Sequence, residues 1–187
     1  DSFYLSNMSP QEGSFNRGIW ADLEAVVRTF AVQNGEICVV TGPVLTDGPY
    51  KTIGKNKVSV PNYYYKVILD YSGKETKAIA FLLPNEGTKK DLDEFVTTVD
   101  EVERITGLDF FPQLPDKEEE ALESTYDITL WDFSDFSVSK MAKKYGYDLD
   151  SLEIGSFAIE KTVAEPEGLI QTVQYYLYLW FAETKED

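Results

Sequence analysis

The chain has 187 residues, 43% of them apolar and 14% aromatic, with 17 Lys and Arg against 33 Asp and Glu for a net charge of −16. That composition closes a real core and disfavours intrinsic disorder, and no apolar run is long enough to cross a bilayer as a helix. One cysteine, Cys38, excludes an internal disulfide or a Cys-rich zinc site, and the absence of any histidine removes the commonest general base and metal ligand.

The charge is unevenly spread. The first 87 residues are close to neutral and the acid is concentrated beyond them. Lys51, Lys55 and Lys57, followed by Lys66, leave a locally positive stretch that is either a polyanion contact or a set of solvated loop lysines.

Asp1 stands where an initiator Met would, with no signal-like segment behind it, so the sequence is expected to derive from a longer or processed precursor. Phe3 to Leu5 reads as the tail of a strand, broken by Asn7-Met8-Ser9-Pro10-Gln11 and Gly13. Helical spacing starts near Asn16 and runs through Trp20, Leu23, Val27 and Phe30 to the stop at Asn34-Gly35. The β-branched run in Glu36 to Thr41 predicts a buried strand stopped by Gly42-Pro43.

Lys57 to Val60 and Tyr63 to Tyr71 read as extended around Pro61, and Lys77 to Leu83 as the second arm of a hairpin through Ser72-Gly73, stopped by Pro84. Val99, Val102 and Ile105 share a stripe, predicting a helix over Thr98 to Thr106 closed by Gly107. After Phe110-Phe111-Pro112 and Pro115-Asp116, an acidic run to Glu123 reads as a solvated helix face. Ser137 to Tyr145 predicts a short basic helix closed by Gly146, and Ile154 to Ala164 and Leu169 to Ala182 two strands around Glu165-Pro166-Glu167-Gly168. The chain has no internal repeat.

If Asn16 opens the first long helix, Trp20, Glu24 and Arg28 follow at four-residue steps along one flank. Spacing alone leaves a bland reading open: Asn16 caps the helix, Glu24 and Arg28 make a surface pair, and Trp20 packs in the core.

Tyr4-Leu5-Ser6-Asn7-Met8-Ser9-Pro10-Gln11, then Asn16-Arg17-Gly18-Ile19-Trp20 and Leu23-Glu24, resembles the DNA/RNA non-specific endonucleases of the ββα-metal (His-Me finger) type. Similarity continues through Val40-Thr41-Gly42-Pro43, Pro61, Tyr64-Tyr65-Lys66-Val67, Ala80-Phe81-Leu82 and Thr98-Val99-Asp100-Glu101-Val102-Glu103. It ends near Leu114-Pro115-Asp116, with no match from Tyr126 onward. Ordered matches of this extent make chance agreement a poor explanation.

The resemblance implies an α+β fold, with a mostly antiparallel central sheet, flanking helices and a ββα-metal core truncated at its N-terminus, and the strand pattern beyond Tyr126 adds a C-terminal β-rich extension. The implied division is a nuclease-like domain over 1–125 and an accessory extension over 126–187, packed on the same domain or pairing with another chain as a homo-oligomer. Asn16 matches the family's metal ligand, for Mg²⁺ or Mn²⁺, an ion that keeps most of its waters. Glu24 matches the glutamate that holds a metal-bound water, Arg28 an arginine facing phosphate, and Asn7 an asparagine near the catalytic centre, where a turn-stabilising role is the alternative. The implied partner is the DNA or RNA backbone, with no membrane, and the implied location is secreted or periplasmic.

One departure matters. The family's water-activating histidine belongs to an Asp-Arg-Gly-His motif that this sequence lacks, and base assistance is worth about 10²–10⁴ in rate. The chain by itself is therefore expected to be inactive. Either it is the C-terminal portion of an endonuclease whose N-terminal segment completes the site, or it is a pseudo-nuclease that binds nucleic acid or protein.

Overall fold

The computed structural model describes residues 8–71 and 75–133, together with the backbone of two strands at 153–164 and 170–181. The expected strand tail at Phe3 to Leu5, the candidate residue Asn7 and the basic helix at Ser137 to Tyr145 lie outside the described residues.

Two helical pieces open the chain, α1 (Gly13–Asn16) and α2 (Ile19–Asn34). The long helix expected to open near Asn16 opens at Ile19 instead, and Asn16 closes the short piece before it. Gly18 is the residue at the N-terminus of α2, with φ −106° and ψ −122°. A Cβ there would lie 2.6 Å from the Ser14 carbonyl oxygen, so the join is made where only glycine fits. Burial holds the break in place, since Phe15 before it and Ile19 and Trp20 after it all point into the core.

β1 (Cys38–Pro43) follows and runs through the Gly42-Pro43 stop expected of it. Gly42 can remain in the strand because Tyr65 lies across it: a Cβ would sit 2.5 Å from the Tyr65 hydroxyl. β2 (Lys51–Ile53) and β3 (Val58–Val60) form a separate two-stranded hairpin, with Gly54 and Lys57 at positive φ in its turn. Lys51, Lys55 and Lys57 are all exposed on it, as solvated loop lysines would be.

β4 (Tyr63–Asp70) and β5 (Lys77–Pro84) make the expected hairpin, paired from Tyr63 opposite Pro84 to Asp70 opposite Lys77. β6 (Val96–Thr97) adds to the outer side of β5. Beyond it come α3 (Val99–Thr106) and α4 (Asp116–Glu123). The Thr98 side chain caps α3 by accepting from the Glu101 amide, and Gly107 ends it at φ 70°. β7 (Glu153–Ala164) and β8 (Ile170–Phe181) pair antiparallel, and β8 joins β1 with Val40 opposite Leu177.

The main sheet therefore has the order β6-β5-β4-β1-β8-β7, with every described pairing antiparallel. This is the expected α+β class. β4 is central, buried along Tyr64 to Asp70, and its alternation divides the molecule. Tyr64 and Ile68 face α2, in a core with Phe15, Trp20, Leu23, Phe30 and Phe81. Tyr65, Val67 and Leu69 face the other way, against Val99, Val102 and Phe110 of the α3 layer. Residues just past α4 return to the α2 side, where Trp131 packs on Phe30 with ring centroids 4.7 Å apart.

Gly18→Ala is expected to destabilise the protein by roughly 1–3 kcal/mol, because the obstructing atom is backbone and cannot swing aside. A urea unfolding curve compared with that of Gly13→Ala, whose added methyl meets only the flexible Arg17 side chain, measures the difference.

Candidate nuclease site

Side chains at the start of α2 and on β4 build the site. Trp20, buried as its packing assignment requires, stands with Phe15 and Tyr64 in an aromatic trio whose ring centroids lie 5.2 to 5.6 Å apart. The Tyr64 hydroxyl is bonded to Ser9 Oγ at 2.7 Å and to the Pro10 carbonyl at 2.9 Å. Burial raises its pKa to about 12, with the Ser9 hydrogen bond opposing, so it remains a neutral phenol at ordinary pH.

Asn85 fastens the same segment from the side. Its side-chain oxygen accepts from the Glu12 amide at 2.8 Å, and its NH₂ donates to the Pro10 and Pro61 carbonyls at 3.2 and 2.9 Å. Residues 10–12 are thereby held against the ends of β4 and β5, immediately before α1. Asn16, four residues further along, is exposed and donates from Nδ2 to Gln11 Oε1. With its NH₂ engaged there, the amide keeps its oxygen for another partner.

Trp20, Glu24 and Arg28 do follow one another along α2, and what they surround is Lys66. This lysine is almost fully buried on β4, directly opposite Thr41 of β1. Its Nζ donates to Thr41 Oγ1 at 2.9 Å and stands 4.5 Å from the Trp20 ring centroid. Burial lowers its pKa to about 8; Glu24 pulls it upward and Arg28 pushes it down. Glu24 is exposed and Arg28 half-buried, and among the described residues no ion pair joins them, so the surface pair allowed by their spacing does not form.

Lys66 belongs with this site and not with the lysines of the β2–β3 hairpin, which corrects its grouping by sequence proximity. The signal that marks it is parity. Tyr64, Lys66 and Ile68 alternate onto the helix-covered face, so a cation there must find partners inside the fold.

A second group of ionisable residues lies across the sheet. Asp100 and Glu103 of α3 approach Glu123 of α4 closely, and Glu123 is only 5% exposed. The acidic run of α4 was expected as a solvated face; Glu119 and Glu123 turn inward because the helix packs against α3. This cluster and Asn16 lie on opposite sides of β4.

The chain belongs to the DNA/RNA non-specific endonuclease family, whose pattern matches residues 1–117. It is 35% identical to the mitochondrial nuclease EXOG of Danio rerio over 158 residues, covering 77% of this chain and 46% of that protein. It is 33% identical to the mitochondrial endonuclease G of Homo sapiens, covering 61% of this chain and 42% of the relative. A crystal structure of endonuclease G complexed with EndoGI superposes with a TM-score of 0.58 at 34% identity, covering 67% of this chain and 54% of the other. The chain thus spans about half the length of the curated relatives it matches.

These relatives overturn one expectation. A secreted or periplasmic location was inferred from the resemblance, whereas EXOG and endonuclease G are mitochondrial nucleases. Among the described residues no helix is long and apolar enough to cross a membrane.

Two substitutions probe the site's supports. Asn85→Ala leaves the Glu12 amide and two carbonyls without their partner and is expected to cost roughly 1–3 kcal/mol in chemical denaturation. Lys66 has a folded pKa below its unfolded one, so the unfolded chain holds the proton more tightly between about pH 8 and 10.5. Its contribution to stability should therefore rise with pH across that window. Lys66→Met should remove this rise, as read from unfolding free energies at pH 7.5 and pH 10.

Proposed function

We propose that these residues form the metal- and phosphate-binding part of a sequence-non-specific endonuclease that hydrolyses DNA and RNA phosphodiester bonds. The observation that carries this reading is the gathering of Glu24 and Arg28 around the buried Lys66, in a chain of the nuclease family that also presents an exposed Asn16 whose NH₂ is already engaged.

Asn16 offers one neutral amide oxygen, a donor suited to Mg²⁺ or Mn²⁺, which bind through few protein ligands and retain water. Such an ion, when bound, supplies Lewis-acid stabilisation of charge on the phosphoryl oxygens. Arg28 donates from its guanidinium to non-bridging oxygens, and Glu24, exposed to solvent, accepts hydrogen bonds from water. Lys66 is too deeply buried to meet a polymer directly; it sets the local field and positions Glu24. Asn7 completes the assigned set by resemblance alone. Contacts of this kind go to backbone and not to base edges, which accounts for indifference to sequence.

The proton acceptor for the attacking water comes, in this reading, from polypeptide beyond these residues, since the chain has no histidine. Residues 1–125 are then the nuclease-like domain and 126–187 an accessory extension on it. The same lack of histidine favours a second reading, an inactive relative that binds nucleic acid without cutting it.

Plasmid nicking separates the two. A polypeptide extended upstream to include Asp-Arg-Gly-His should nick in Mg²⁺, Asn16→Ala within it should lose at least about 100-fold, and the 187-residue chain alone should not cut. An extended polypeptide that carries the motif, binds DNA in low salt and leaves it intact would decide for the binding reading.

A further inference from the structure

The carboxylate cluster between α3 and α4 has no part in the reading above. Asp100 and Glu103 stand one helical turn apart on α3, so both project from the same face. Glu119 and Glu123 do the same on α4. Ligand oxygens of Asp100, Glu103 and Glu123 all lie within 4.8 Å of one another. Three negative charges that close repel strongly unless something positive or a proton stands among them.

Nothing basic does so. Among the described residues none of the four carboxylates is in an ion pair, and Arg104, the basic residue on α3, is turned to Glu101 at 2.6 Å. One Glu103 oxygen accepts from the Phe110 amide at 2.6 Å. Glu123 Oε1 is buried with no hydrogen-bond partner, as is Glu119 Oε1. A carboxylate oxygen sealed from water and left without a donor costs free energy unless a ligand meets it.

We propose that Asp100, Glu103 and Glu123 form a divalent-cation site for Ca²⁺ that pins α4 to α3, across the sheet from Asn16. The donor set is all oxygen and anionic, which selects a hard cation. Three carboxylates converging on one point exceed the one or two that Mg²⁺ ordinarily takes from protein, whereas Ca²⁺ accepts about six to eight oxygen ligands in flexible geometry, so the donor set suits the larger ion. Two residues come from one helix and the third from the next, so binding closes a contact that depends on tertiary folding. Burial and the facing Glu103, Glu119, Asp100 and Asp109 raise the Glu123 pKa to about 8, so a proton takes the cation's place when no metal is present. The inference is independent of catalysis.

The test is thermal unfolding of the full 187-residue chain at pH 7.5, first stripped with EGTA and then titrated with CaCl₂ at constant Mg²⁺. Ca²⁺ at about a hundred times its dissociation constant should raise the Tm by about 5–10 °C. Calorimetric titration should give one Ca²⁺ per chain. Glu123→Gln should melt at or above the wild-type temperature in EGTA, because it mimics the protonated side chain, and should lose the Ca²⁺ response. Asp100→Asn, altered at an exposed position, should weaken the response at least tenfold in Ca²⁺ concentration and serves if Glu123→Gln fails to fold. Asn16→Ala should respond as wild type. Absence of a Ca²⁺ shift in the wild type overturns the proposal. So does a shift that persists in both cluster variants, or one that disappears in Asn16→Ala.

Discussion

Tyr64 ties together three stretches of chain that are remote in sequence. Its ring meets Phe15 of α1 and Trp20 of α2, and its hydroxyl reaches Ser9 and Pro10. Burial of three aromatic rings supplies several kcal/mol of hydrophobic stabilisation, and offset or edge-on contacts add to it. Because Tyr64 begins the central strand β4, that contact couples the segment carrying Asn16 to the sheet. The Asn85 hydrogen bonds supply direction where the rings supply attraction, so residues 10–12 have one way to lie against the strand ends.

The two faces of β4 divide the molecule's chemistry. On the α2 side Trp20, Glu24 and Arg28 gather at the buried Lys66; on the α3 side Asp100, Glu103 and Glu123 converge, and among the described residues none of these three carboxylates is in an ion pair. Both groups are shifted toward neutrality by burial, in opposite senses, Lys66 downward and Glu123 upward. Between Lys66 and the carboxylates the opposite face of the sheet carries Val40, Tyr65, Val67, Leu69, Ala78 and Ala80, so packed apolar side chains hold the two sets of ionisable groups apart.

Elements with a clear period were legible in the sequence. The β4–β5 hairpin follows from its apolar runs, and α3 from its stripe together with Gly107. The long helix was legible in its body and misread at its start. Its apolar spacing begins at Asn16, but the close approach of Gly18 to Ser14 breaks the backbone there, and that contact has no period to betray it. The β1 strand overran Gly42-Pro43 because a neighbouring tyrosine needs the space a side chain would fill. β2 was missed because it is short and exposed on every residue, leaving no burial pattern to detect.

Sequence alone determined the fold class, the family through its ordered matches, and the lack of a histidine base, since each of these depends on residue identity and local order. Tertiary structure alone decided which side chains meet. Lys66 joins Trp20, Glu24 and Thr41 through strand register, and Glu123 faces Asp100 through the packing of two helices. Neither pairing is encoded in the spacing of neighbours. Both arise because hydrophobic burial brings distant segments together, and the polar groups carried with them must then find partners where the packing leaves them.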